Sequence, residues 1–92
     1  MLNIAIDYDD TITADADMWY IFIHNAIQRG HKVYVVTWRD EDTPIHYRFD
    51  ELATDVIYCN LKAKQQFCES KGIFIDIWID DNPRAILHDF RK

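Results

Sequence analysis

Four short apolar runs, separated by stretches with a helical pattern, constrain the fold of this chain more than any other feature of its sequence. They lie at residues 2–6, 32–37, 55–59 and 73–79 and are rich in β-branched and aromatic side chains, which is typical of buried strands. Strands that alternate with helices through short connections pair in parallel, because each helix carries the chain back to the starting edge of the sheet. We therefore expect an α/β fold: a parallel sheet of about four strands with helices on both faces.

Capping residues between these runs predict where the helices begin and end. The predicted helices are 15–29 (capped by Asp15 or Asp17 and ended by Gly30), 44–53 (started by Thr43-Pro44), 61–71 (capped by Asn60 and ended by Gly72) and 83–90 (started by Asn82-Pro83). No linker or repeat interrupts this order, so residues 1–92 are expected to form a single domain without an inserted cap.

Composition excludes some classes of partner. Hydrophobic residues make up 49% of the 92 residues, which favours a packed globular fold, and the net charge of −6 argues against broad binding to nucleic acid or membranes. No apolar run approaches the ~20 residues that cross a bilayer. Cys59 and Cys68 lack metal-ligand spacing, and no leader-like segment precedes the first strand. We therefore expect a reduced, cytoplasmic protein.

The first apolar run ends abruptly in a group of carboxylates. Asp7, Asp9 and Asp10 lie within four residues and are followed by Thr11. Carboxylates at close range repel one another, so at neutral pH they need either a bound cation or a raised pKa. A divalent cation is the simpler explanation, and this strand end is the predicted active site.

Other polar residues are expected at the same edge of the sheet. Thr37 and the pair Asp80-Asp81 end two further strands, and all carboxyl ends of an open parallel sheet lie together where ligands bind. Lys62 and Lys64 fall in the first turn of the predicted third helix, so one of them can extend a positive charge over this edge. Carboxylates, a hydroxyl group and a lysine together suit phosphoryl transfer.

These residues resemble, in order, the four motifs of the haloacid-dehalogenase-like (HAD) phosphohydrolase superfamily. The motifs are matched by Asp7-Tyr8-Asp9-Asp10-Thr11, by Thr37 in Val-Val-Thr-Trp-Arg, by Lys64 (the favoured lysine) or Lys62, and by Asp76-Ile77-Trp78-Ile79-Asp80-Asp81. Together they cover essentially the whole chain. The resemblance implies a Rossmann-like three-layer sandwich of the minimal, capless type.

The resemblance also implies a catalytic role for each residue. Asp7 would attack phosphorus and form an aspartyl-phosphate, and Asp9 would protonate the leaving oxygen and then activate water. Thr37 and Lys64 would hold the phosphoryl oxygens.

The implied cofactor is Mg²⁺, which prefers hard oxygen ligands. The family pattern assigns it to Asp7, to the backbone carbonyl of Asp9 and to one Asp of the final pair. Asp81 is favoured for coordination, and Asp80 is favoured for supporting the lysine or the metal shell.

Residues beside these motifs are candidates for binding substrate: Thr11 after the first motif, Trp38 and Arg39 after Thr37, and Lys62. Thr11 could also stabilise its turn, and Arg39 could instead pair with the acidic loop beyond it. The implied activity is a Mg²⁺-dependent phosphomonoesterase. Without a cap its site would be open to a bulky substrate, such as a nucleic-acid 3′-phosphate, a nucleotide or a phosphoprotein, unless an oligomer supplied a lid.

Two other functions use similar residues. A response-regulator receiver also forms an aspartyl-phosphate on a parallel sheet, but its acceptor Asp ends the third strand, and here that strand ends in Cys59-Asn60. The order of elements therefore disfavours a receiver. A non-catalytic Mg²⁺-binding or interaction module would keep the same residues and stays as the alternative to the phosphatase.

Overall fold

The computed structural model describes residues 1–90, in which four strands and four helices alternate. The strands are β1 (Asn3–Ile6), β2 (Lys32–Thr37), β3 (Asp55–Tyr58) and β4 (Ile77–Ile79), and the helices are α1 (Ala16–Gln28), α2 (Tyr47–Leu52), α3 (Lys64–Ser70) and α4 (Arg84–Leu87). A 3₁₀ turn at Ile12–Ala14 precedes α1. The predicted alternation of strands and helices is confirmed.

All four strands pair in parallel, in the order β3-β2-β1-β4. The chain moves outward from β1 through β2 to β3 and then crosses back to place β4 on the other side of β1. The direction of progress therefore reverses between β1 and β4. At such a switch point the connections after the two neighbouring strands diverge, which leaves a crevice at the carboxyl edge of the sheet. The predicted α/β fold with a four-stranded parallel sheet is confirmed.

Successive residues of each strand point to two separate buried clusters, as the period of two in a β-strand requires. Ile4 and Ile6 of β1 belong to the cluster that α1 and α2 cover, whereas Ala5 belongs to the cluster that α3 covers. The first cluster continues through Ile23, Ala26, Val33, Val35 and Phe49, and the second through Tyr34, Val36, Ile57, Cys59 and Cys68. Both cysteines are free and buried.

Local capping was predicted correctly where its partners lie close in sequence. The Asp15 carboxylate accepts a hydrogen bond from the Met18 N–H group and so caps α1. Gly30 and Gly72 both adopt a left-handed backbone, with φ of 89° and 76°, where α1 and α3 end. A residue with a Cβ atom is strained in this conformation, so glycine suits both positions.

The second helix is shorter than predicted, because side chains that follow β2 and β1 bind the backbone that precedes it. The carbonyl groups of Thr43 and Pro44 accept hydrogen bonds from Arg39, and the His46 N–H group donates to the Tyr8 hydroxyl. Thr43-Pro44 therefore forms part of a loop that is hydrogen-bonded to residues following β1 and β2. The helix begins only at Tyr47, after His46 as its N-cap.

The third helix begins at Lys64 rather than at Leu61. Asn60 and Leu61 have φ of 50° and 66°, and their N–H groups donate to the carbonyls of Arg39 and Trp38. These bonds join the turn to the loop after β2, so Asn60 does not cap a helix. Lys62 consequently lies outside α3, whereas Lys64 is its first residue.

The last strand and last helix are also shorter than the predicted 73–79 and 83–90. Because Ile77 pairs with Ile4 and the Asp76 N–H group donates to the Asn3 carbonyl, the residues before Asp76 extend past the beginning of β1. After α4, the Asp89 carboxylate accepts a bond from the Ala63 N–H group. The chain there turns towards the start of α3 instead of continuing as a helix.

Candidate functional site

The carboxyl ends of β1 and β4 bring two acidic segments side by side. The N–H group of Asp7 donates to the Ile79 carbonyl at 2.9 Å, which continues the ladder between these strands by one residue. Asp80 and Asp81 follow directly. The acidic segments are far apart in sequence, yet they meet at the switch point of the sheet, as predicted for a ligand site.

Lys64 lies between two of these carboxylates. Its Nζ atom is 2.7 Å from Asp7 Oδ1 and 2.7 Å from Asp80 Oδ2, and its side chain is only 2% exposed. A buried ammonium group is stable only when it is paired and hydrogen-bonded, and here two carboxylates supply both. The motif pattern favoured Lys64 over Lys62, and the structure places Lys64 against Asp7.

Thr11 connects Asp7 to Asp81 on the other side of the cluster. Its buried Oγ1 atom lies 3.2 Å from Asp7 Oδ2 and 3.0 Å from Asp81 Oδ1, and it accepts a bond from the Asp81 N–H group. A hydroxyl group has one hydrogen, so it donates to one carboxylate at a time. The turn that holds Thr11 contains Asp10 at a left-handed φ of 65°. Thr11 therefore sets the spacing of the two acids.

Burial raises the pKa of Asp7 to about 7, and the hydrogen bond with Asp81 acts in the same direction, while the Lys64 ammonium opposes the rise. That hydrogen bond lowers the pKa of Asp81. The two carboxyl groups are therefore coupled: the pKa of Asp7 lies well above that of Asp81. A bound cation would favour the ionised form of Asp7.

A divalent cation fits the donor set. Asp7, Asp80 and Asp81 each offer an oxygen atom, and these atoms all lie within 4.8 Å of one another. Three carboxylates face the single ammonium of Lys64, which leaves excess negative charge at the cluster when all three are ionised. Oxygen donors of this kind suit Mg²⁺ better than a softer metal.

Asp9 lines the same cleft but lies outside this cluster and pairs with Arg39. The guanidinium group binds the carboxylate through two bonds, Nε to Oδ2 at 2.9 Å and Nη2 to Oδ1 at 2.7 Å. The hydrogen bonds to Asp9 raise the pKa of Arg39 above its ordinary value. The Arg39 guanidinium also lies 5.0 Å from the centre of the Tyr8 ring and donates to the carbonyls of Thr43 and Pro44. The alternative that Arg39 pairs with the loop beyond it is therefore met only through backbone carbonyls, because the carboxylate that it binds is that of Asp9.

The other three predicted site residues, Thr37, Trp38 and Lys62, differ in how deeply they are buried and in which cleft they line. Thr37 is buried, and its hydroxyl oxygen accepts a bond from the Arg39 N–H group. Trp38 lines the acidic cleft, and its indole N–H group donates to the Lys62 carbonyl. Lys62 itself lines another surface cleft, beside Ser70 on α3. The structure therefore does not bring Lys62 into the cluster.

Two features of the site were missed by sequence reasoning. Asn82 lines the cleft, and its N–H group holds Asp80 Oδ1 at 2.9 Å. Its position directly after the acidic pair was the available signal. The pairing of Arg39 with Asp9 had no such signal, because the two residues are separated by 30 positions.

Within residues 1–90, no helix has both the length and the apolar character needed to cross a membrane. Comparisons of the chain with profiles of protein families, with curated proteins and with solved structures find no match. Membership of the HAD-like superfamily therefore stays a prediction from the motifs.

Proposed function

We propose that the protein is a Mg²⁺-dependent phosphomonoesterase that acts through an aspartyl-phosphate on Asp7, with the Rossmann-like sandwich of a capless HAD-type enzyme. One observation carries the proposal: the Asp7 carboxylate follows β1 at the switch point of the sheet, 2.7 Å from the buried ammonium of Lys64. A carboxylate held beside a fixed positive charge is oriented for attack on an anionic phosphate ester.

In the first step a carboxylate oxygen of Asp7 attacks phosphorus, and the bond from phosphorus to the ester oxygen breaks. Asp9 supplies the proton that the leaving oxygen needs. In the second step water attacks the same phosphorus atom, Asp9 accepts its proton, and the bond to Asp7 breaks to release inorganic phosphate. After the second step Asp7 is again a free carboxylate and Asp9 is again protonated, so the cycle can repeat.

Lys64 and Thr11 orient the nucleophile. Lys64 binds one oxygen of Asp7, and Thr11 contacts the other, so the carboxylate cannot rotate freely. Thr37 would hold a phosphoryl oxygen through its hydroxyl hydrogen, since its oxygen already accepts the Arg39 N–H group. Asp7, Asp81 and the backbone carbonyl of Asp9 would hold Mg²⁺, with Asp80 supporting Lys64. When bound, Mg²⁺ supplies positive charge that offsets the carboxylates and the phosphoryl oxygens.

Arg39 positions Asp9 for proton transfer. Its two bonds fix the plane of the carboxylate at the rim of the cleft, and the Tyr8 ring and two backbone carbonyls fix the guanidinium in turn. A lysine cannot form this planar, two-bond pair.

Arg39→Lys is expected to lower kcat about 10-fold for an alkyl phosphate but much less for an aryl phosphate, because general acid catalysis contributes most when the leaving group is poor. Steady-state rates on both ester classes measure this difference. Arg48→Lys is the matched control, because Arg48 also stacks on an aromatic ring and pairs with an aspartate, Asp17, outside the cluster. Equal losses on both esters would show that Arg39 does not act through Asp9.

Saturating Mg²⁺ is expected to stabilise the wild type, by about 2.7 kcal/mol at 100 times the Kd. Thermal unfolding with Mg²⁺ and with a chelator measures the shift in Tm. Asp81→Asn should lose most of this shift, whereas Asp42→Asn, which removes the same charge from an exposed loop, should keep it. If Mg²⁺ raises the Tm of Asp81→Asn and of Asp42→Asn equally, the ion does not bind at the cluster.

The proposed activity is tested by phosphate release from an aryl phosphate, mononucleotides, a 3′-phosphorylated oligonucleotide and a phosphopeptide, with and without Mg²⁺. We expect turnover that needs Mg²⁺ and disappears in Asp7→Asn. Phosphate release that persists in Asp7→Asn would exclude Asp7 as the nucleophile.

A non-catalytic Mg²⁺-binding module is the second candidate, because the acids of the site are already engaged. Lys64 and Thr11 contact both oxygens of Asp7, and Arg39 binds both oxygens of Asp9. A wild-type protein that gains stability from Mg²⁺ but releases no phosphate from any ester of the panel would favour this candidate.

A further inference from the structure

A second cleft opens beside the acidic one and shares two residues with it. The acidic cleft has a volume of about 200 Å³, and the neighbouring cleft has a volume of about 410 Å³. Trp38 and Asn82 line both, so a ligand can extend from one into the other without leaving the surface. The larger cleft is lined by Trp38, Asn82, Arg84, His88, Asp89 and Phe90.

We propose that this larger cleft, here called the aromatic cleft, binds the base of a free nucleoside monophosphate whose phosphate group lies in the acidic cleft. The inference rests on the proposed phosphatase function and names its substrate class. It assigns to α4 and the residues after it a binding role that the catalytic steps do not use.

The size of the aromatic cleft suits a base with part of its sugar. Small-molecule sites in proteins usually measure on the order of 300–1,000 Å³. The acidic cleft is smaller and lined mainly by carboxylates, so it offers room and ligands for a phosphoryl group and a cation rather than for an organic group. The organic part of the ester therefore extends past Trp38.

Two aromatic rings make the cleft suitable for a flat ligand. The Trp38 and Phe90 rings meet edge to face, with centroids 5.4 Å apart. Trp38 is anchored by its indole bond to the Lys62 carbonyl, and Phe90 by its N–H bond to the Leu61 carbonyl at 2.7 Å. Phe90 nevertheless remains 44% exposed, so part of its ring is available for stacking. Stacking of a base on such a ring contributes about 1–3 kcal/mol.

The charged and hydrogen-bonding groups of the aromatic cleft also suit a nucleoside monophosphate. Arg84 and His88 are exposed in the cleft, where Arg84 adds positive charge that attracts an anionic ester to a chain with a net charge of −6. Asn82 and Asp89 offer amide and carboxylate groups to the edge of a base. The net negative charge disfavours a long polyanion, so we assign a mononucleotide rather than a nucleic-acid end.

The test compares kcat/KM for AMP and for ribose 5-phosphate, which has the same phosphate ester without the base. The wild type should prefer AMP by about 10-fold or more. Phe90→Ala should remove most of this preference by lowering kcat/KM for AMP, and should leave ribose 5-phosphate within about 2-fold. Phe74→Ala is the matched control, because Phe74 is an exposed ring near the opposite edge of the sheet. It should change neither rate.

Three outcomes would overturn the inference while leaving the phosphatase intact: equal rates on AMP and ribose 5-phosphate, equal losses on both esters in Phe90→Ala, or a 3′-phosphorylated oligonucleotide preferred over AMP. Arg84→Gln gives a second check, since it should raise KM for AMP and reduce its dependence on salt.

Failure of the proposed function itself is recognised separately. If the aryl phosphate is not hydrolysed, AMP binding to the wild type in Mg²⁺ is measured by calorimetry. Binding that Phe90→Ala weakens and Phe74→Ala does not would support the aromatic cleft without the chemistry. Absence of AMP binding would exclude it.

Discussion

Replacing Lys64 with methionine is expected to destabilise the protein by about 3–5 kcal/mol, because removing one partner of a buried ion pair leaves the others uncompensated. Lys64 and Asp80 are each 2% exposed, and Asp7 is nearly as buried. A domain of this size has a total stability of only about 5–14 kcal/mol, so the loss is a large fraction of it. Urea denaturation at pH 8 without divalent cations measures the change.

Lys62→Met is the matched control for this substitution. Lys62 is exposed and outside the cluster, so the same chemical change should alter the free energy of unfolding by less than about 0.5 kcal/mol. Adding Asp7→Asn and Asp80→Asn to Lys64→Met should recover much of the lost stability, because no buried charge is then left unpaired. A Lys64→Met protein as stable as the control would mean that the ion pairs contribute little.

Asp7→Asn is expected to have the largest effect on catalysis. It should abolish phosphate release and yet increase the stability of the protein. Without its nucleophile the protein should lose phosphate release by at least about 10⁴-fold. Without divalent cations it should nevertheless be more stable than the wild type at pH 8, by about 1–3 kcal/mol, because an amide in this position avoids a buried negative charge. For a domain of this size, each kcal/mol corresponds to a rise in Tm of about 4–8 °C.

The pH dependence follows from the raised pKa of Asp7. Its value of about 7 in the folded protein exceeds the ordinary 3.8, so the folded protein binds this proton more tightly than the unfolded chain. The resulting stabilisation is fully present below pH 3.8 and is lost as the pH rises through 7. The difference in stability between Asp7→Asn and the wild type should therefore grow over this range. A constant difference from pH 5 to pH 8 would contradict the burial of the Asp7 charge.

Much of the fold follows from local pattern. The bounds of β2 were predicted correctly, and so were the cap at Asp15 and the glycine ends of α1 and α3. These features depend on residues within a few positions of one another, where side-chain alternation and capping act. The meeting of Asp7 with Asp80-Asp81 also followed, because the carboxyl ends of parallel strands share an edge.

The sequence by itself therefore determined the order of elements, the parallel sheet and the edge at which the acids gather. Only the tertiary structure decided that Arg39 binds Asp9, that α3 starts at Lys64 and that Phe90 packs on Trp38. Each of these depends on hydrogen bonds or ring contacts between residues distant in sequence. Such contacts form only when the sheet brings the partners together, and they can then override local helix preferences. Periodicity and capping reflect only local preferences, so they contain no information about these partners.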